Sequence, residues 1–579
     1  MRTINNRWLM VIVLFTIHSL LFVSPAGAQS PSWVKKASKS VFTLKTFSAD
    51  GTLLGSANGF FVGANGEAVS SFAPFKGAER AVIIDASGKE MAVECIMGAN
   101  DTYDVAKFRV TTSKALPLAL AADKQLAETE VWLLPYREVK RVPQGMIRKT
   151  ETFNGDYAYY TVFLPPSSLL PSPSSVLPPP SSISVGTPLL NEAGEVVGLM
   201  QQPTSANDTL CYAVSALFAD SLKTTGLSIN DPVLRMTAIK KALPQDVNQA
   251  ILTLYVGASS LDSLAYARLI DDFIQQFPNH PDGYTYRAQQ HVDGNLFAEA
   301  DRDMAQALKV AEDPDEVHYT YSRLMMQKEL YKPDVPYESW SMDRAYDEAG
   351  QAYSMNPLPT YREQQAVVRY AQKRYDEAYA IYEELFNSAL RSPELFYSAS
   401  VCKQQLNDTT AQLALIDSCV AMFSRPYLKE AAPYLLHRAQ LLMEMNRHRQ
   451  AVNDLHDYEA LMKAQLNANF YYLRFQAEVG GRLFQQALND IDQAITMAPT
   501  SDLYYAEKAS LQVRVGQYDA AMETAKAAIQ VASDHSDGYL FLGLAQCLKG
   551  QKDEGLKNLQ KAKELGDPQA DDLIEKYSK

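Results

Sequence analysis

Two patterns of apolar and polar positions meet near residue 225. Before it, short runs rich in Val, Ile, Phe and Thr are punctuated by Gly, Asn, Asp and Pro. Ser40–Phe47, Gly59–Val62, Ala81–Asp85 and Glu195–Met200 are examples. Short β-branched and aromatic runs bounded by turn residues read as strands, and many of them at close intervals predict an all-β barrel or sandwich. After residue 225 such runs vanish. Long Ala, Leu, Tyr and Gln-rich segments take over, with apolar positions at helical period.

The helical pattern repeats itself. Ala494, Ala528 and Ala562 are each 34 residues apart, as are Ala487, Ala521 and Gly555, and as are Phe484, Tyr518 and Lys552. Small residues at two fixed positions let paired helices approach closely, and an aromatic three residues before the first fills the gap between them. Tyr375, Ala378 and Tyr382 fit the same frame, as do Phe297, Ala300, Met304 and Ala307. Pro278, Pro357 and Pro499 sit where second helices would end. A 34-residue helix-turn-helix unit with these columns resembles the tetratricopeptide repeat. About nine units are expected over residues 247–569, followed by a short C-terminal helix over 570–579, with 223–246 as a linker. The unit spanning Ala432–Asn467 is two residues long for the frame, and the one around Tyr331–Trp340 carries an insertion.

The N-terminus changes the compartment. Arg2 and Arg7 precede an apolar stretch from Trp8 to Val23, and Ala26-Gly27-Ala28 follows. That order predicts a signal peptide over residues 1–28, cleaved after Ala28, and a mature protein that is periplasmic or extracellular without stable membrane insertion. Charge is unevenly placed. Residues 29–222 hold 16 Lys plus Arg against 18 Asp plus Glu, whereas 223–579 hold 36 against 49. An acidic repeat half and a near-neutral β half exclude nucleic acid, whose phosphates demand a basic face. Five cysteines fit neither a zinc pattern nor a dense disulfide scaffold. Cys402 and Cys419 fall within one repeat and could either pair across its helices or stay as buried free thiols. Between Pro165 and Ser182, seven Pro and seven Ser make an 18-residue stretch that reads as an extended surface loop.

Within the β half, Gly59-Phe60-Phe61-Val62, the stretch from Gly66 to Ala78, and Asn100 to Val110 with Asp104-Val105-Ala106 occur in that order. Gly186-Thr187-Pro188-Leu189-Leu190-Asn191 and Gly194-Glu195-Val196-Val197-Gly198 follow. Together these resemble the HtrA-type branch of the trypsin-like serine proteases over most of residues 35–220. The resemblance implies a trypsin-like double β-barrel ahead of the all-α repeat solenoid. It also implies where the chemistry should stand: the family's His falls on Ala73, its nucleophilic Ser on Val185, and an oxyanion-hole Gly on Ile183. Only the Asp is kept, as Asp104. The reaction needs Ser to attack, His to carry the proton, Asp to orient the His and backbone N–H groups to hold the oxyanion. Independently of any alignment, residues 29–222 contain no histidine; those of the mature chain are His280, His291, His318, His437, His448, His456 and His535. An inactive protease homologue is therefore expected. The competing reading is a divergent serine endopeptidase using Ser184, with the repeats recruiting substrate, and a third makes the β domain a purely structural cap.

No cofactor or metal is expected. There is no P-loop, no dinucleotide Gly motif after a strand, and His448 with His456 reads as a surface or packing pair. The resemblance to tetratricopeptide repeats implies a groove lined by the first helix of each unit, taking a peptide or protein segment. Groove candidates are Asp282, Gln289, Glu363, Tyr370, Gln440, Glu444, Tyr472, Gln476, Ser510, Arg514 and Leu544. Their mixture of carboxylates and tyrosines predicts a basic segment as partner, held by a scaffold without catalysis.

Overall fold

A computed structural model describes residues 31–122, 126–136, 142–164, 185–202 and 210–579. The expected signal peptide and the Pro/Ser-rich stretch, together with Ile183 and Ser184, lie outside the described residues. The chain divides into two compact units, Met1–Gln290 and His291–Lys579.

The first unit is built on two closed six-stranded antiparallel barrels. The first has the order β1 (Val41–Phe47), β2 (Leu53–Phe61), β3 (Glu67–Ser70), β6 (Val105–Val110), β5 (Glu90–Asn100) and β4 (Arg80–Ile84). The second runs β10 (Pro188–Leu190), β11 (Val196–Met200), β12 (Leu210–Ser215), β9 (Tyr157–Phe163), β8 (Gln144–Phe153) and β7 (Thr129–Leu133). Alternate residues of β9 are buried, so Ala158, Tyr160 and Val162 face the core while their neighbours do not. Closure leaves neither barrel with an open edge strand among the described residues.

Three apolar clusters follow from that alternation. Phe42, Leu44, Phe61, Phe75, Ile83, Ile96 and Phe108 fill the first barrel. Val131, Ile147, Tyr160, Val162, Leu189 and Met200 fill the second. Val41, Phe60, Val69 and Val105 from the first barrel pack with Leu190, Val196, Leu199 and Val214 from the second, forming the seam between them. Each buried aromatic or aliphatic side chain is worth about 1.5–3 kcal/mol, so the seam is held by burial as firmly as either barrel.

The segment from Lys223 to Asp246, expected as a linker, is a strap on the first barrel. Leu234 and Ile239 enter the first barrel's core. The Gly77 N–H donates to the Met236 carbonyl at 2.7 Å, Ala238 to Ala78 at 2.9 Å, Ile96 to Lys240 at 2.8 Å and Ala242 to Ile96 at 2.8 Å. Its composition resembles a spacer; its buried apolar residues and its backbone pairing make it part of the domain.

Helices then run in pairs from Val247–Ser260 with Ser263–Gln276 to Ser536–Leu548 with Lys552–Glu564, nine pairs in all among the described residues, followed by Ala570–Ser578. The columns of small residues are where helices touch. Ala487, Ala494, Ala521, Ala528 and Ala562 are all buried. A Cβ on Gly555 would lie 2.4 Å from the Cys547 sulfur and 2.8 Å from the Gly543 carbonyl oxygen, so this pair packs at a distance only glycine permits. The insertion after Asp315–Tyr331 is pinned by Asp301. Its carboxylate accepts from the Trp340 indole N–H at 2.8 Å, the Tyr337 hydroxyl at 3.0 Å and the Tyr321 hydroxyl.

Candidate functional site

The turn between β5 and β6 places Asp104 at the barrel seam with φ +45°. One carboxylate oxygen accepts from the backbone N–H of Ala73 at 2.6 Å, and the other accepts from the Ser71 hydroxyl. The Phe72 N–H donates to the Asp104 carbonyl at 3.4 Å. Asp104 thus seats the short 3-10 turn Ala73–Phe75, whose Phe75 is fully buried 5.2 Å from the ring of Phe108. The exposed methyl of Ala73 stands at the position where the resemblance places an imidazole.

Val185 is brought to the same seam by a separate set of bonds. Its carbonyl accepts from the Asn58 N–H at 2.8 Å, and the Asn58 side-chain amide donates to the Thr187 hydroxyl at 3.0 Å. The Ser70 hydroxyl donates to the Asn58 carbonyl at 2.6 Å. Between them Gly186 has φ +85°, and a Cβ there would sit 2.0 Å from the Asn58 oxygen. Glycine is required by both the backbone angle and the space. A continuous path of hydrogen bonds and adjacent residues therefore joins Asp104, Ser71, Ser70, Asn58 and Val185. It fixes the two barrels to each other, and neither Ala73 nor Val185 contributes a group able to move a proton or attack a carbonyl.

On the helices, every groove candidate lies on the first helix of its pair. Asp282 and Gln289 are on Pro281–Asp293, where burial raises the Asp282 carboxyl above its usual range and His280 lies 3.5 Å away. Glu363 and Tyr370 are on Pro359–Ala371. Burial alone pushes the Glu363 carboxyl up, and the Tyr370 ring packs 5.2 Å from Tyr375. Tyr472 is committed to the next repeat: its hydroxyl donates to Glu507 at 3.0 Å and its ring lies 5.2 Å from Tyr504. Gln440, Glu444, Gln476 and Arg514 are exposed, and Ser510 and Leu544 are half-buried.

Sequence reasoning missed how the polar side chains at the starts of these helices are used. Tyr361 donates to Asp315 at 3.0 Å, Tyr434 to Glu394 at 2.8 Å and Tyr504 to Asn469 at 3.0 Å, while His535 pairs with Asp502. Each link joins the start of one first helix to the start of the next. Much of the polar character at these helix starts is thereby engaged between repeats. The cysteines are likewise internal. All five are free and buried, and burial holds the Cys402 thiol at about 11 and that of Cys419 at about 12.

No family model matches the chain. It is 34% identical over 82 residues to the TPR repeat-containing thioredoxin TDX of Arabidopsis thaliana, covering 14% of this chain and 22% of that protein. It is 25% identical over 132 residues to the small glutamine-rich tetratricopeptide repeat-containing protein 2 of Saccharomyces cerevisiae, covering 23% and 38%. The chain thus spans well under half the length of either relative. Among solved structures, MamA aligns over 30% of this chain and 96% of its own, at 21% identity and a TM-score of 0.26. The active form of the Rv3671c protease from M. tuberculosis aligns over 34% and 89%, at 15% identity and a TM-score of 0.26. The helical half is similar to tetratricopeptide repeats. The β half is a pair of six-stranded barrels.

Proposed function

We propose that this protein is an exported, non-catalytic scaffold: its repeats hold a peptide or protein segment and its barrel pair is an inactive trypsin-like domain. The observation that carries the non-catalytic half is the use of Asp104. Its two carboxylate oxygens are engaged by Ala73 and Ser71, and residues 29–222 offer no imidazole for it to orient. Without the base and nucleophile, a triad loses most of a rate enhancement of several orders of magnitude. The binding half is supported by the exposed side chains of successive first helices, with Gln440, Glu444, Gln476 and Arg514 facing solvent while the neighbouring tyrosines hold the repeats in register. Gln440 and Gln476 suit the backbone amides of an extended segment, and Glu444 favours a cationic residue within it.

Fluorescence anisotropy with extended peptides of matched length and graded charge tests this reading on the full chain. Basic, Lys- or Arg-containing peptides should bind more tightly than acidic ones, with a salt-sensitive share lost on Glu444→Lys. Equal affinity across the charge series, or affinity indifferent to both Glu444→Lys and Gln476→Ala, would remove these helices from the binding site.

A further inference from the structure

Away from the barrel seam, the first unit contains a polar cavity of about 240 Å³ where the strap crosses β5 beside the helix Ser263–Gln276. Its walls include Glu94, Cys95, Arg109, Lys240, Asp272 and Gln275. A β-bulge forms part of its wall. Val93 pairs with Val110 and Cys95 with Arg109, so Glu94 is the extra residue in the β5–β6 ladder. Bulges re-aim side chains that regular alternation would send to opposite faces, and here Glu94 and Cys95 both line the cavity.

The charges in this cavity are not all used. Lys240 and Asp272 are already joined at 2.7 Å on its rim. The side chains of Arg109 and Glu94 make no ion pair or hydrogen bond with any described residue, although both act electrostatically on the Cys95 thiol. That thiol is buried and held neutral, its pKa pushed to about 11, chiefly by desolvation. The result is a small space with one uncommitted guanidinium, one uncommitted carboxylate and a neutral floor. It lies below the roughly 300–1,000 Å³ typical of drug-sized ligands, which restricts the occupant to a compact molecule.

We propose that this cavity binds a small zwitterion of the α-amino-acid class, its carboxylate paired with Arg109 and its ammonium with Glu94. A guanidinium recognises a carboxylate through two parallel N–H donors, and a carboxylate beside it selects against simple anions. Because Lys240 belongs to the strap and Asp272 to the helix, an occupant would brace strap, barrel and helix together.

Thermal-shift and calorimetric titration of the full chain with the twenty common amino acids, each up to roughly 10 mM, tests the site. The panel includes their deaminated acids and decarboxylated amines. At least one amino acid should raise the melting temperature in a saturable way and bind roughly tenfold or more tightly than either single-charge analogue. Arg109→Gln and Glu94→Gln should each weaken it by a similar factor, with circular dichroism matching the wild type. No binding by any amino acid overturns the proposal. So does equal binding of a single-charge analogue, or affinity that survives both substitutions. None of these results bears on peptide binding by the later repeats.

Discussion

Replacing Glu478 with glutamine is expected to remove an alkaline weakness from the repeat half. Glu478 lies on the helix Ala468–Gly480 and is almost wholly buried, with one carboxyl oxygen lacking any hydrogen-bond partner. Arg474, one turn earlier, is taken by Asp490 through two bonds at 2.5 and 2.9 Å and by Glu459 through another. Burial, then repulsion from Asp490 and Glu459, outweighs Arg474 and lifts the Glu478 carboxyl from 4.5 to about 8. The sign follows from proton counts. Between these values the folded state keeps a proton that the unfolded state has released, so stability is fullest below about pH 4.5 and falls until about pH 8. At about 1.4 kcal/mol per unit, the displacement is worth on the order of 5 kcal/mol. The chain contains its own precedent, since the same repeat position is Gln512, 34 residues on, and that glutamine is also buried. Urea midpoints of the helical circular-dichroism signal, measured from about pH 5 to about pH 9, provide the assay. Wild type should lose stability across that range, and Glu478→Gln should lose much less, equalling wild type at the acid end and exceeding it at the alkaline end. Parallel curves, or a variant equally weakened at both ends, would show that Glu478 is ionised in the native state and refute the reasoning.

Asp301→Ala leaves the Trp340 indole and two tyrosine hydroxyls without their acceptor, and should lower stability by about 2–4 kcal/mol with a red shift of Trp340 emission; an unchanged urea midpoint would contradict this. None of the five cysteines should react with a thiol reagent in native buffer, and all five should react in denaturant, because each is buried and free. Rapid labelling of Cys402 or Cys419 in the folded protein would count against their placement. Limited proteolysis should spare residues 223–246, where Leu234, Thr237 and Ile239 are buried, and an early cut there would mean that the strap does not hold.

The repeat half was legible because its signal is periodic: buried Ala and Gly columns recur every 34 residues, and helix contact demands small residues there. The strands were legible as short β-branched and aromatic runs bounded by turn residues. What escaped were pairings that keep no fixed period. The helix-start links join residues 46, 40, 35 and 33 apart, because the insertion before Trp340 and the long connection over residues 422–431 shift the frame. The strap escaped because its short apolar pairs, Val233-Leu234 and Ala238-Ile239, keep neither helical nor strand period in a segment of spacer-like composition. Asp104 was visible as a retained carboxylate, yet its engagement with Ser71 and the Ala73 N–H depends on a tertiary turn. The bulge at Glu94 had no sequence mark, since an added residue in a ladder appears only when the partner strand is in place.

The most direct test of the central claim is intact-mass analysis of the mature full-length protein after exposure to an active-site serine probe, run beside a casein-cleavage assay. With alanine at position 73, valine at 185 and no histidine in residues 29–222, no adduct and no cleavage above background are predicted. Stoichiometric labelling that maps to residues 180–190, accompanied by casein turnover, would contradict the account and make the barrel pair an enzyme.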